Sequence, residues 1–541
     1  MGVHRQADAA RAESEKAKSL SARAATAVEI HGLSKMVLKG PRLWLEDAKR
    51  GLAPGREKEK MARQSTWRMC LSSLALSAGW LLVSSPAAAE PTEFVVPESQ
   101  RQLLLTDHGI AKRENLQRIL HQPVKRGAVI RSPDPKKTVQ TRTAPVWDPE
   151  AKLYKLWVLG IDQNLWQSPD GLHWIPGPKT NMHIGMVVYD ARDPDPARRF
   201  KAPLLNQGFA VSPDGVHWKR VEVGRIQSFD EGNFSLDTEN GLFVHTVKRG
   251  SRFGRALAIA TSRDFSNWDD LGVVFGSDER DQELAKTNIL ARFADKTLQH
   301  PPYNDPAVYR VDVYNMGVFR YEGLYIGMPA MYHATGPVPN YPNTVGFHLV
   351  QLACSRDLQH WYRLGDRQPF IGPSKRGSGA YDLTQILPAS TPILRDDELW
   401  FYYTGLKWRG SFTYVGTFPN GEYVPIPGKD RDGGAICLAV LRRDGFVSLD
   451  AGNKQGILQT QPFQLPAENL RVNANLRGGE LQVEVLGEAG TLLATSDTTT
   501  GDQLDGTVSW QGEGLAGLAG KTVSLRFRLR VGSLYSYWLT D

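Results

Sequence analysis

One short motif recurs through the chain and constrains its fold more than any other feature. Ser168-Pro169-Asp170-Gly171-Leu172-His173-Trp174 returns as Ser212-Pro213-Asp214-Gly215-Val216-His217-Trp218. Looser copies run from Ser262-Arg263-Asp264 to Trp268 and from Ser355-Arg356-Asp357 to Trp361, and a degenerate fifth is Arg442-Arg443-Asp444-Gly445-Phe446. Upstream of each copy stands a β-type run, a turn rich in Asp, Gly or Pro, and an aromatic β-type run. The five are APVWDPEAKLYKLWVL, MVVYDARDPDPARRFKAPL, NFSLDTENGLFVHTV, GVFRYEGLYIGMP and TPILRDDELWFYYTG. Long helical periodicity is scarce after residue 125, so the units read as sheets rather than helical repeats. Five roughly four-stranded units imply a propeller, in which each sheet buries its faces against its two neighbours. The motif itself is expected to make a tight turn between the third and fourth strands. There Ser and Asp bond backbone N–H groups while Trp packs between sheets. That structural task makes the motif aspartates poor catalytic candidates.

After Asp450 the pattern changes to strict alternation. Val523, Leu525, Phe527, Leu529 and Val531 face one way; Ser524, Arg526, Arg528 and Arg530 face the other, as a solvated face. The fold class is therefore all-β, a five-bladed β-propeller over 90–455 followed by a small antiparallel β-sandwich over 456–541. Insertions at about 277–306 and 405–433, rich in Pro, Gly, Tyr and charge, are expected to rim a binding face.

Residues 61–89 carry Arg63 and Arg68, an apolar stretch from Leu71 to Ser85, and Ala87-Ala88-Ala89 before Glu90. This is a signal-peptide pattern, which predicts a secreted or periplasmic protein free of the membrane after cleavage. Translation is expected to start at Met61, with 1–60 a non-native, disordered or loosely helical extension. The formal net charge of +7 lies wholly within residues 1–89, and 90–541 is neutral, so the basic balance points to no nucleic-acid partner. Cys354 and Cys437 sit in apolar runs and read as buried thiols. The 12 His are scattered without ligand spacing, and no G-x-S-x-G, H-E-x-x-H or P-loop occurs, so neither metal nor cofactor is expected.

The S-P-D-G-x-x-W turns, the D-P-x-x-x-x-Y-K hairpin and the C-terminal sandwich resemble the five-bladed propeller glycosidases of glycoside hydrolase families 32 and 43. The signature W-M-N-D-P-N-G is absent, and Asn304-Asp305-Pro306 matches only its core, which weighs against a fructosidase. The resemblance implies carboxylates grouped around the propeller axis on the innermost strands, acting on a poly- or oligosaccharide. Glycosidic cleavage passes through an oxocarbenium-like state, so one carboxyl donates a proton while another stabilises or attacks the anomeric carbon.

Acids precede or enter three inner strands. Asp230 and Glu231 open the third, Asp312 the fourth and Asp382 the fifth, while Arg142 and His183 stand near the first two. Asp312 or Asp230 is expected as base or nucleophile, Glu231 as general acid and Asp382 as a third acid. Hairpin acids such as Asp148 and Asp237 lie at the other strand end and are set aside. Asn233, Tyr314 and Asn315 would line the funnel, with Tyr332, His333, Lys407, Trp408 and Arg409 overhanging its mouth. Two other readings share this fold: a non-catalytic propeller that binds glycan or an envelope partner, and a polysaccharide lyase using Tyr314, His183 and Arg142. Converging acids would favour the hydrolase, and acids sealed by salt bridges the binder.

Overall fold

The computed structural model describes residues 94–338, 343–408 and 432–541. The extension and signal peptide expected over 1–89, Arg409, and most of the 405–433 insertion lie outside the described residues.

Five antiparallel sheets form the blades of a propeller. Blade 1 contains Val146–Asp148, Leu153–Trp157, Leu165–Ser168 and Ile175–Pro176. Blade 2 contains Val188–Tyr189, Phe200–Leu204, Gly208–Ser212 and Lys219–Val221. Blade 3 is built from Gly232–Asp237, Leu242–Ser251, Gly254–Ser262 and Asp269–Phe275. Blade 4 runs Arg310–Tyr321, Leu324–Pro337, Ala353–Ser355 and Trp361–Arg363, with Thr344–Val350 added to its second strand. In blade 5, Gln385–Pro388, Glu398–Leu406 and Gly434–Arg442 are joined by Val124–Arg131 as the outermost strand. That strand sets Val124 opposite Val440 and Ile130 opposite Ile436, so a segment from before blade 1 closes the ring.

The repeated motif is the third-to-fourth-strand turn in blades 1 to 4. In the first copy the Ser168 hydroxyl accepts from the Gly171 N–H at 2.9 Å, and Asp170 Oδ1 accepts from the N–H groups of Leu172 and His173 at 2.8 Å. The residue after Asp is left-handed in each of these four copies: Gly171 (φ 76°), Gly215 (72°), Phe265 (62°) and Leu358 (66°). Glycine adopts this at no steric cost, whereas Phe265 and Leu358 bear about 1 kcal/mol of strain. Both are buried in interblade clusters, which offsets that strain.

Each motif Trp packs on the preceding blade. Trp174 meets Tyr402 of blade 5 edge-on at 6.2 Å, Trp218 meets Trp157 of blade 1 at 6.1 Å, and Trp268 stacks on Phe209 of blade 2 at 4.7 Å. Trp361 lies against Phe275 of blade 3 at 6.2 Å. The hydrophobic core of the ring is thus divided into one cluster per blade interface, from Trp174 and Ile436 between blades 5 and 1 to Phe319 and Phe401 between blades 4 and 5.

The fifth copy leaves the ring. After Arg442 the chain turns at Asp444 and enters an eleven-stranded antiparallel sheet with its own core. Its longest strand, Asn469–Leu486, pairs first with Gly532–Thr540 and then with Thr522–Arg530. Val523, Leu525, Phe527 and Leu529 are buried, while Arg526 and Arg528 pair with Glu484 on the adjacent strand. Pairing also crosses the boundary drawn at 455, since Gln102–Leu103, Ile110–Glu114, Gln117–Leu120 and Val447–Ala451 all join this sheet.

The 277–306 insertion carries a helix, Glu279–Ala294, begun by a capping box between Asp278 and Asp281. It is tied to blade 4, where Arg363 clamps Asp281 and the Gln282 amide exchanges two hydrogen bonds with the backbone of Val311.

Candidate active site

The axis of the propeller is closed by a polar layer. Asn233 at the start of blade 3 donates to the carbonyls of Arg142 (2.8 Å) and Pro388 (3.2 Å), and Ser390 donates to the Arg142 carbonyl at 2.8 Å. The Asn315 amide donates to Asn233 Oδ1 at 3.1 Å. Asn233 and Asn315 are buried here, so they brace the inner strands of blades 1, 3, 4 and 5. His245 supports the same layer by its contact with the Asn233 carbonyl, and burial lowers its pKa to about 4.

Above this layer three cations and three of the four candidate acids interlock. Glu231 ends the loop before Gly232–Asp237, and Arg142 grips both its oxygens, Nε to Oε2 at 2.5 Å and Nη2 to Oε1 at 2.7 Å. Burial alone would lower the Arg142 pKa, but Glu231 outweighs it and the net shift is upward. Asp312, third residue of Arg310–Tyr321, is held by Arg255 through Nε at 3.0 Å to both oxygens and Nη2 to Oδ1 at 2.8 Å. Arg255 is likewise raised, its burial overcome by Asp312. Asp230 contacts the Lys248 ammonium through Oδ1 at 2.7 Å. Lys248 sits 3.7 Å above the Tyr314 ring, and Arg255 lies 5.0 Å from that ring and 4.6 Å from Tyr332.

Local structure explains these positions. Leu242, Val244, Thr246 and Lys248 share the face of Leu242–Ser251, the second strand of blade 3, that packs on blade 4, so alternation carries the Lys248 stem into that interface. Asn206 of blade 2 exchanges hydrogen bonds of 2.8 Å with both backbone groups of Ser228, and Ser228 Oγ donates to the Glu231 carbonyl. The loop bearing Asp230 and Glu231 is thereby pinned between blades. Lys248, Arg255 and Asn206 are absent from the sequence reading, although a lysine in phase with Val244 was a visible signal.

Arg142, His183, Asp230 and Glu231 line one cleft of about 450 Å³ at blades 1 to 3. His183 is exposed there. Asp312 and half-buried Tyr314 are joined to this group through Arg255 and Lys248. Among the described residues Asp382 shares no partner with the other acids: it accepts from Lys125 at 2.6 Å and from the Tyr403 hydroxyl at 3.0 Å. Tyr332 and His333, expected over the mouth, lie inside blade 4. The Tyr332 hydroxyl donates to the Thr344 carbonyl, and His333 stacks on Phe347 at 4.9 Å. Lys407 pairs with Asp432 at 3.3 Å above the Tyr381 ring, and Trp408 is half-buried beside it. Cys354 and Cys437 are free and buried. Among the described residues no group of three or more His, Cys, Asp or Glu is placed to hold a metal.

A carboxylate gripped at both oxygens is an acceptor only, so neither Glu231 nor Asp312 has a proton to give in this arrangement. This is the reverse of what a general acid at Glu231 requires. Asp230 differs, since 69% of its side chain is exposed and a single ion pair through Oδ1 holds it.

No protein-family model matches the chain, and no curated protein sequence matches it. Among solved structures, it is similar to an N-acetylgalactosamine deacetylase from F. plautii, at 14% identity and a TM-score of 0.33 over 62% of this chain and 97% of that one. It is also similar to a family 32 β-fructofuranosidase of Bombyx mori, at 11% identity and a TM-score of 0.31 over 78% and 94% of the two chains. A third, described as a glycoside hydrolase, is 13% identical, with a TM-score of 0.34 over 59% of this chain and 92% of its own.

Proposed function

We propose that the protein is a secreted glycoside hydrolase whose substrate, an oligo- or polysaccharide, lies in the cleft at blades 1 to 3. The observation that carries this reading is that two adjacent carboxyl groups in unlike environments line one cleft. Asp230 is solvent-facing and singly paired, whereas Glu231 is buried and gripped by Arg142. Unlike environments are what separate a proton carrier from a permanent carboxylate. Glu231 supplies the negative charge that stabilises or attacks the anomeric carbon, and Asp230, whose second oxygen lies outside its ion pair, is assigned the transfer of a proton to the leaving oxygen. Arg142 holds Glu231 in place, and Asp312 acts at one remove by fixing Arg255 against Tyr314.

Turnover of a panel of chromogenic furanosides and pyranosides by the wild type, Glu231→Gln and Asp230→Asn tests the assignment. Hydrolysis that drops about a hundredfold or more in both variants is expected. Equal turnover by all three would overturn it.

One observation favours a second reading, a propeller that binds glycan without cutting it: each of the four candidate acids is engaged by a cation. Oligosaccharide binding by a wild type that cleaves none of the panel would select that reading.

A further inference from the structure

We infer that the ligand of this mouth carries a carboxylate, and that Asp230 occupies that carboxylate's place on Lys248 while the mouth is empty. The inference rests on the reading that the mouth binds carbohydrate, and narrows the substrate class to acidic sugars such as uronates.

The argument starts from Lys248. Its side chain is 1% exposed, yet its close ion-pair partner, Asp230, is 69% exposed. Burial lowers the Lys248 pKa, opposed by Glu231 and Asp230, so the ammonium depends on these acids for its charge. Glu231 is already committed to Arg142 by two hydrogen bonds, and Asp312 to Arg255 by three contacts. Counted as a group, Arg142, Lys248 and Arg255 balance Asp230, Glu231 and Asp312. Remove Asp230 and three cations face two acids, so Lys248 keeps its ammonium charge only if another anion takes that place.

Asp230 is the acid of this set that can be exchanged. It belongs to a loop rather than a strand, and it lines the cleft that the sugar is proposed to occupy. A carboxylate that replaces it regains the same charge-assisted hydrogen bond. One face of Tyr314 is covered by the ammonium, so that face offers no stacking platform to a neutral sugar. Release from Lys248 also frees both oxygens of Asp230, which suits the proton-carrying role assigned above.

Calorimetric titration of the full protein with oligogalacturonate, oligoglucuronate and oligomannuronate, each beside its methyl ester, tests this. The ester keeps the ring and removes the charge. At least one free acid is expected to bind about ten- to a hundredfold more tightly than its ester, the worth of one charge-assisted hydrogen bond. Lys248→Met should abolish that preference, and Lys248→Arg should retain it. Asp230→Asn should tighten acid binding by removing the internal competitor. Equal binding of acid and ester, an acid preference that survives Lys248→Met, or weaker acid binding by Asp230→Asn would each overturn the inference. Binding of neutral oligosaccharides without the acids defeats this inference alone. Failure of every acidic and neutral sugar to bind defeats the carbohydrate reading, and this inference with it.

Discussion

Arg101 and Asp444 form a buried ion pair, Nη1 to Oδ2 at 2.8 Å, that ties the propeller to the eleven-stranded sheet. The same Asp444 oxygen accepts from Ser536 at 2.6 Å and Asn473 at 3.1 Å, while Oδ1 accepts from the Tyr321 hydroxyl at 2.7 Å. Arg101 in turn lies 3.6 Å from the Trp538 ring. One carboxylate thus gathers the segment before blade 1, the hairpin of blade 4, the turn after blade 5 and two strands of the second sheet. In the other four copies the motif Asp accepts from the N–H groups of its own turn. In the fifth copy the left-handed residue is Asp444 itself, φ 60°, one position earlier than in the other four, and its carboxylate turns outward to this junction.

Asp444→Ala should therefore cost about 3–5 kcal/mol, because it leaves the buried guanidinium with only the more distant Asp505, at 4.0 Å, and takes the acceptor from Ser536, Asn473 and Tyr321. Replacing both partners, Arg101→Met with Asp444→Leu, should recover most of that loss, since neither charge then remains buried alone. Denaturant midpoints of the three variants check this. A single variant as stable as the wild type would mean that the pair does not hold the junction.

The motif tryptophans give a second test. Trp218 is buried against Trp157 of the preceding blade and donates from Nε1 to the Gly215 carbonyl at 2.9 Å. Trp218→Ala should destabilise by about 3–5 kcal/mol through lost burial and the cavity left behind. Removing the exposed neighbour, His217→Ala, should cost less than about 1 kcal/mol, because its contact with Asp214 is a surface pair. Thermal unfolding of the two variants separates these values.

The blade count and the role of the Trp turns were legible because both are local. A turn needs only its own four or five residues, and its repetition fixes the number of sheets. Ring closure was not legible, because Val124–Arg131 pairs with Gly434–Arg442 across some three hundred residues and nothing in its own pattern names that partner. The three N-terminal strands in the second sheet were hidden for the same reason. At the site, Asp230, Glu231 and Arg142 could be read from their place before inner strands. Their cations could not: Lys248 and Arg255 come from the second and third strands of blade 3, and only the pairing of those strands with their neighbours brings them to the mouth. Without the cations, Glu231 read as a proton donor rather than a gripped carboxylate.

Stability should fall as the solution is acidified through two buried imidazoles. Burial lowers both His245 and His333 from 6.5 to about 4. The unfolded chain therefore takes up both protons near pH 6.5, while the folded protein refuses them until about pH 4. The stability they provide is complete above pH 6.5, declines as pH falls, and is exhausted near pH 4. At pH 5 the loss is about 2 kcal/mol for each histidine. Urea midpoints at several pH values check this, with His245→Gln expected to flatten the wild-type profile by one proton between pH 6.5 and 4. A variant profile parallel to the wild type would show that His245 does not titrate on unfolding.

Asp382 provides the sharpest contrast with Glu231. It is buried in blade 5 with Lys125 and Tyr403, and Lys125 also donates to the Gly372 carbonyl at 2.6 Å and the Ser374 hydroxyl at 3.0 Å. In Asp382→Asn the lysine keeps those two acceptors and partial access to water, and the amide oxygen can still accept from Tyr403. The expected cost is about 1–3 kcal/mol of stability, the loss of one charged hydrogen bond. Turnover per folded molecule should stay within about threefold of wild type, against a drop of about a hundredfold or more for Glu231→Gln. Kinetics on protein whose folded fraction is measured in parallel keep the two effects apart. A hundredfold loss in Asp382→Asn with the fold intact would return this carboxylate to the catalytic set and move the reaction centre toward blade 5.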